Sequence, residues 1–414
     1  EVEVIDCTGC SLVPGFVDQH VHLIGGGGEG SFSTRTPEVM LSDLTSCGIT
    51  TVVGTLGTDS VTRHMTSLLA KAKGLEEEGI STWIYTGAYD VPVPTLTGSV
   101  RTDLIIVDKV VGVGEVAMSD HRSSQPTRLD FAQLAAQARV GGMLSGKAGV
   151  LHIHLGDGKA MIDWVFDLLK ETELPITQFT PTHFNKNKTL FMEGVRFAKA
   201  GGMVDITTSS STISPGRIQP PEALKICVEE GVPLDRVTMS SDGNGSLPVF
   251  DAAGKLMGLV AASPASLHKA VRDIVQAGIL PLEDALRPVT ERYPALALEV
   301  LVDAADLGIG PPPLEVELKQ LGPRGIRWSQ GRSGLLRFGR HGRVGFEMIE
   351  QTDDIIDRSR RQADFRGADL TFLCGQRLTE GQQQGRKQAG KMVRLTPLHP
   401  GSPLLEQAAI YPFQ

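Results

Sequence analysis

Residues 13–30 read VPGFVDQHVHLIGGGGEG. The apolar run starting at Gly15 has strand character, and in an extended chain residues i and i+2 face the same way, so His20 and His22 aim both imidazoles at one point. That spacing suits a metal ion. Four consecutive glycines, Gly25 to Gly28, have no use inside a strand, but they let a loop backbone pass close to a ligand and present Glu29 to it. The stretch therefore proposes a site, and in a βα barrel sites sit at the C-terminal ends of the strands.

Working outward, short β-rich apolar runs alternate with helical patterns up to about residue 280. The predicted strands are 15–22, 50–55, 82–86, 111–117, 150–154, 176–180, 203–207 and 236–241, and predicted helices include 37–47, 60–79, 129–140, 160–170 and 264–278. Thr36 reads as a helix cap followed by Pro37, with Met40, Leu44 and Cys47 on the apolar face before Gly48 ends the helix. Ile162, Val165, Phe166 and Leu169 make the core stripe of a later helix. Eight such units define the fold class as α/β, a (β/α)8 TIM barrel, spanning residues 15–290.

The flanks differ from this core. Residues 1–14 read as a stray strand from a sheet whose remainder is absent, with a missing upstream segment expected. Beyond residue 290 the lysine-to-arginine balance changes from 12 and 11 to 3 and 14, and residues 291–414 are rich in Arg, Gly and Pro. This tail is expected to be aberrant: frameshifted, as a GC-rich gene read out of frame from about residue 296, or disordered.

With 414 residues, 41% hydrophobic and 21% charged, the composition is that of a globular protein, and a net charge of −8 gives no electrostatic attraction to nucleic acid or anionic membrane. Small molecules are the expected partners. Five scattered cysteines form no disulfide framework, and the lone Cys7–Cys10 CxxC reads as chance placement. With no long apolar run and no leader, the expected location is cytoplasmic.

Metal-compatible side chains recur at the predicted strand ends: His20 and His22 at the first, Glu115 at the fourth, His154 at the fifth, His183 after the sixth and Asp242 after the eighth. Four histidines and two carboxylates facing one axis could hold two divalent ions through a shared carboxylate. His152 lies on the same strand face as His154 and competes with it on spacing alone; His64, His121 and His268 read as structural.

The segments PGFVDQHVHLIGGGGE, GTLGTDSVTRH, TGAYDVPVPTLTGSV, SDHRSSQPT, PTHFNKN and VTMSSDGNGS resemble isoaspartyl dipeptidase, a dinuclear zinc peptidase family of the amidohydrolase superfamily, over residues 1–290. The resemblance implies metal-dependent hydrolysis of the β-aspartyl amide bond in dipeptides by a zinc-activated bridging hydroxide. It implies two divalent metal ions, Zn2+, with His20, His22 and Asp242 at one and His154 and His183 at the other. It selects His154 over His152. The family's bridging group is a carbamylated lysine, and Glu115 stands in its place. Asp242 would act as base and acid, and Tyr89 would donate to the oxyanion. Glu29 would bind the substrate ammonium, Thr58 and the glycine loop at Gly27 the first carboxylate, Arg122 and Lys186 the terminal carboxylate, and Ser246 a further part of the substrate. Lys186 replaces a family arginine and lacks its planar fork. A homo-oligomer is also implied, and the stray strand of residues 1–14 becomes the remnant of a small β-sandwich. The competing readings are a cyclic amidohydrolase of dihydroorotase or hydantoinase type, against which Glu29 argues because cyclic amides carry no free ammonium, and a non-catalytic metal-binding fragment.

Overall fold

The computed structural model describes residues 10–209, 216–250 and 256–291, with four strands beyond them, 334–338, 344–348, 370–374 and 410–411. The chain divides into two compact units, one of residues Phe16–Val302 and one of Glu1–Gly15 with Asp303–Gln414.

In the smaller unit, β1 (Cys10–Pro14) opens the described chain. The larger unit carries β2 (Phe16–Val21), β3 (Ile49–Gly54), β4 (Ser81–Thr86), β5 (Val110–Met118), β6 (Val150–Leu155), β7 (Phe179–Thr182), β8 (Val204–Thr207) and β9 (Val237–Ser240). Strands β2 to β7 pair in chain order, all parallel, and β8 pairs parallel with β9. β7 adjoins β8 and β9 adjoins β2. A bridge between Val21 and Gly243, with His22 N donating to the Gly243 carbonyl at 2.8 Å, joins the last strand's exit to the first. The predicted (β/α)8 barrel is therefore the observed fold. Its strands run nearly uniformly buried, as expected where helices cover the outer face.

Core packing follows the same logic. Phe179, Phe184, Phe191 and Phe197 are fully buried, and the helix Lys188–Lys199 turns Leu190, Phe191, Val195 and Phe197 inward. Each such side chain contributes roughly 1.5–3 kcal/mol by leaving water. That helix begins where the Asn187 side chain accepts from Leu190 N at 2.9 Å, which satisfies one of its free donors.

Several local expectations need correction. The sixth strand lies at 179–182 rather than 176–180, because Ile176–Gln178 form a 3-10 turn. The helix expected at 37–47 shrinks to Leu41–Thr45, and Thr36 does not cap it. Its hydroxyl instead accepts from Gly26 N at 2.6 Å and reaches the Asn244 carbonyl at 2.5 Å, so Thr36 ties two site loops together. Met40 is consequently exposed, while Leu44 and Cys47 are buried as expected. In the helix Asp163–Glu171 the buried face is Ile162, Val165 and Leu168; Phe166 is half-buried and carries the Arg196 guanidinium at 3.9 Å from its ring centre. A hairpin, β10 (Ser246–Phe250) with β11 (Leu256–Ala261), follows the last barrel strand and was not foreseen.

In the smaller unit β1 pairs antiparallel with β14 (Leu370–Cys374), which pairs parallel with β15 (Ile410–Tyr411), and β12 (Gly334–Phe338) pairs antiparallel with β13 (Val344–Met348). The expectations for residues 1–9, for Cys7 and for most of 291–414 lie outside the described residues. Among the described residues, no helix is long and apolar enough to cross a membrane.

Candidate metal centre and substrate rim

The strand ends deliver six side chains to one point. His20 and His22 leave β2, Glu115 lies within β5, His154 precedes the end of β6, and His183 and Asp242 follow β7 and β9 in left-handed backbone conformations. All but Asp242 are buried, and Asp242 is 14% exposed. Glu115 Oε2 lies 3.4 Å from His20 Nε2, 3.0 Å from His154 Nδ1 and 3.6 Å from His183 Nε2, while Oε1 lies 3.4 Å from His22 Nε2. Asp242 Oδ1 is 3.1 Å from His22 Nε2 and 3.5 Å from His20 Nε2.

Three overlapping triads result: His20, His22 and Glu115; Glu115, His154 and His183; and His20, His183 and Asp242. Glu115 belongs to two of them, so its shorter side chain still reaches both histidine pairs. His20 Nε2, fully buried, has no hydrogen-bond partner although it faces two carboxylates. An orphaned ligand atom aimed into a set of imidazoles and carboxylates is the donor chemistry of a divalent cation site, and these residues fit such ions.

The electrostatics of the cluster set the charge state of each group. Burial disfavours charge on His20, but Glu115, Asp242 and Asp205 together raise its pKa to about 9. Burial likewise opposes ionisation of Glu115, yet His20 and hydrogen bonds from His154 and His183 hold it well below the usual carboxylate range. Asp242 is lowered for the same kind of reason, against burial, by His22, His183 and His20, and is an anion at neutral pH. Burial and the neighbouring Glu115 push the Tyr89 hydroxyl well above its ordinary value. It stays protonated, 2.7 Å from His154 Nδ1.

Above this cluster the residues named for substrate also converge. Glu29 accepts from Thr58 Oγ1 at 2.9 Å, from Arg122 Nη1 at 3.2 Å and from Ser246 Oγ at 3.2 Å. Lys186 Nζ lies 3.0 Å from His154 Nε2 and donates to the Leu155 carbonyl. The glycine run is required by close approach: a Cβ on Gly25 would stand 2.2 Å from the Thr36 carbonyl oxygen, and one on Gly27 2.6 Å from that of Thr34, both at positive φ.

Four residues beside the cluster have places that the sequence did not mark as functional, His152 among them having been weighed only as a competitor of His154. Arg63, buried, donates to the carbonyls of Ile24, Gly26 and Gly27 at 3.2, 2.7 and 3.2 Å and so braces the glycine loop. Asp120 grips Arg122 at 3.0 and 2.8 Å and lies 3.0 Å from His154 Nε2. His152 stacks on Tyr85 at 4.5 Å, and its Nε2 lies 2.8 Å from His20 Nδ1. It backs His20 and lies outside the three triads. Arg217 is the fourth. Arg63 and Asp120 lie inside segments already quoted; no sequence signal marked Arg217. His64, His121 and His268 stay outside the three triads, consistent with structural roles.

No family model matches the chain. Solved structures do resemble it. A beta-aspartyl dipeptidase from the thermophilic keratin-degrading Fervidobacterium islandicum AW-1, in complex with beta-Asp-Leu dipeptide, is 48% identical over 68% of this chain and 74% of that one, with a TM-score of 0.64. A second structure of a beta-aspartyl dipeptidase from the same organism is 36% identical over 85% and 87%, with a TM-score of 0.61. Identity of this order over most of both chains, together with the barrel and its ligand cluster, means that the chain belongs to the beta-aspartyl dipeptidase family, hydrolases of amide bonds.

Proposed function

We propose that the chain is a metal-dependent dipeptidase that cleaves the amide formed by the β-carboxylate of an N-terminal aspartate. One observation carries this reading: Glu29, Thr58, Ser246 and Arg122 meet through hydrogen bonds at the rim above the metal-ligand cluster. An anion for a free ammonium and a cation for a carboxylate, set above a hydrolytic centre, match a small zwitterionic amide. The F. islandicum relative bound to beta-Asp-Leu supports the same substrate class.

His20 and His22 with Asp242 would hold one ion and His154 and His183 the other, with Glu115 shared between them. Zinc is the expected metal, and a pair of such ions supplies Lewis acidity and an ionised water near neutral pH. The chain's own residues do the rest. Glu29 fixes the substrate ammonium, Thr58 and the backbone at Gly27 hold the aspartyl α-carboxylate, and Arg122 and Lys186 hold the terminal one. Ser246 adds a polar contact beside Glu29. Tyr89, buried and protonated, donates to the carbonyl oxygen as negative charge develops there. Asp242 takes a proton at Oδ1 during attack and returns it to the departing amine. Arg63 holds the glycine loop in place through its carbonyls.

A cytoplasmic, homo-oligomeric enzyme, with residues 15–290 as the catalytic barrel, residues 1–14 as a remnant strand and residues 291–414 as an aberrant tail, completes the reading.

The test is β-aspartyl-leucine hydrolysis by purified zinc-loaded protein, with metal content measured on the same sample and Asp242→Asn as the blank. Turnover with about two metals per chain, lost in the variant, supports the reading. A folded, dimetal protein that spares every β-aspartyl dipeptide but opens a cyclic amide overturns it.

A further inference from the structure

Three cations, Arg122, Lys186 and Arg217, lie within reach of one another's charge beside the cluster, and they are not equivalent. Arg122 is already paired, by two hydrogen bonds with Asp120 and a third with Glu29. Lys186 donates to the Leu155 carbonyl beside His154. Arg217 has neither a hydrogen bond nor an ion pair among the described residues, although it is partly buried.

Its position is set by backbone. Ile218 N donates to the Asn185 carbonyl at 3.0 Å, and Asn185 Nδ2 donates back to the Ile218 carbonyl at 2.9 Å. The same Asn185 side chain is fixed by the Thr207 carbonyl at 3.0 Å and Thr207 N at 2.9 Å. This two-way clamp seats Arg217 next to the turn that carries His183 and Lys186. The guanidinium is electrostatically coupled to Lys186, Arg122 and Asp242, and to the exposed Asp157. A partly desolvated cation without a partner is unfavourable. At the rim of a site for an anionic substrate, a bound carboxylate removes that deficit.

We propose that Arg217 is a specificity residue of this hydrolase, receiving a carboxylate of the C-terminal residue of the dipeptide beside Lys186. The assignment rests on the dipeptidase reading. It also bears on the Lys186 replacement, because Arg217 supplies the planar two-pronged donor that a lysine lacks.

Two carboxylates of that residue could be the ligand, its α-carboxylate or an acidic side chain, and paired substrates separate them. Metal-loaded wild-type protein, Arg217→Gln and Arg217→Lys are assayed with β-aspartyl-leucine against its C-terminal amide, and with β-aspartyl-glutamate against β-aspartyl-glutamine. The expected result is that one charge preference, acid over amide or glutamate over glutamine, falls at least tenfold in Arg217→Gln, mainly through KM. Arg217→Lys is expected to lose two- to fivefold in the same ratio. The first ratio moving assigns the α-carboxylate and the second the side chain. Both ratios unchanged, or all four substrates scaled equally, overturns the proposal. Should the glutamine variant fail to fold, the lysine variant decides by its own two- to fivefold fall in one ratio, and no change in either ratio overturns the proposal. Wild-type protein inert toward all four substrates would instead overturn the dipeptidase reading itself.

Discussion

Glu29 Oε1 accepts a hydrogen bond from Arg122 Nη1 at 3.2 Å, across 93 residues of chain. The group proposed to bind the substrate ammonium is thus satisfied in part by the group proposed to bind its terminal carboxylate. Both are about a quarter exposed, so the pair itself adds little to stability. A dipeptide exchanges this one contact for two of its own. Glu29→Gln removes the charge that meets the ammonium, and the loss of one charge-assisted hydrogen bond, about 2–3 kcal/mol, corresponds to roughly 30- to 150-fold in kcat/KM. The loss should vanish for N-acetylated substrate, which wild-type protein should already handle poorly. Equal activity of the two proteins on the free dipeptide would remove Glu29 from the ammonium site.

Glu115 is the carboxylate common to two triads and the main partner that raises the pKa of His20. Glu115→Gln should therefore lower bound metal from two to less than one per chain and cut turnover on the order of a thousandfold. It also strands a buried imidazolium, which costs roughly 3–5 kcal/mol when a buried pair is broken. A lower melting temperature of the metal-free protein near pH 7 is the second readout. Metal analysis showing two ions and normal turnover in the variant would assign the bridge elsewhere.

Much of this was readable in sequence, and the parts that were not share a cause. The barrel strands were legible because each is a short apolar run with a polar or glycine-rich exit, and His20, His22 and Asp242 sit at those exits. Helix starts were less so. Thr36 has the residue type of a cap, but its hydroxyl is used by Gly26 and Asn244, more than two hundred residues apart in sequence. His152 and His154 share a strand face, and only the third dimension shows that one touches Glu115 while the other backs His20. Arg217 owes its place to a clamp on Asn185, a pairing that no local pattern encodes.

Arg63 is a case where a residue far from the reacting atoms should control substrate affinity. Its buried guanidinium holds three carbonyls of the glycine loop and lies 3.4 Å from Asp59. Arg63→Ala leaves those carbonyls without donors, at a cost of roughly 1–3 kcal/mol for each that stays buried. We expect a clear drop in melting temperature and a rise in KM that exceeds the fall in kcat. Arg63→Lys should rescue little, since one ammonium cannot span three carbonyls. A lysine variant with wild-type KM and stability would show that the loop holds itself.

Lys186 should give substrate affinity a pH dependence of its own. Burial first, and then the nearby Arg122 and Arg217, lower its pKa from 10.5 to about 7. A bound carboxylate favours the charged ammonium, so the pKa is higher in the complex. Below pH 7 the lysine is already charged and KM should be flat. Above pH 7 binding must take up a proton, and KM should rise by up to tenfold per pH unit until the pKa of the complex is reached. The substrate's own amino group also ionises in the alkaline range, so the decisive comparison is with Lys186→Arg, which stays charged throughout. Its log KM profile for β-aspartyl-leucine between about pH 6 and 9 should be flatter than that of the wild type by close to one unit of slope. Parallel profiles for the two proteins would mean that Lys186 does not meet the terminal carboxylate and that its contacts to His154 and Leu155 are its whole role.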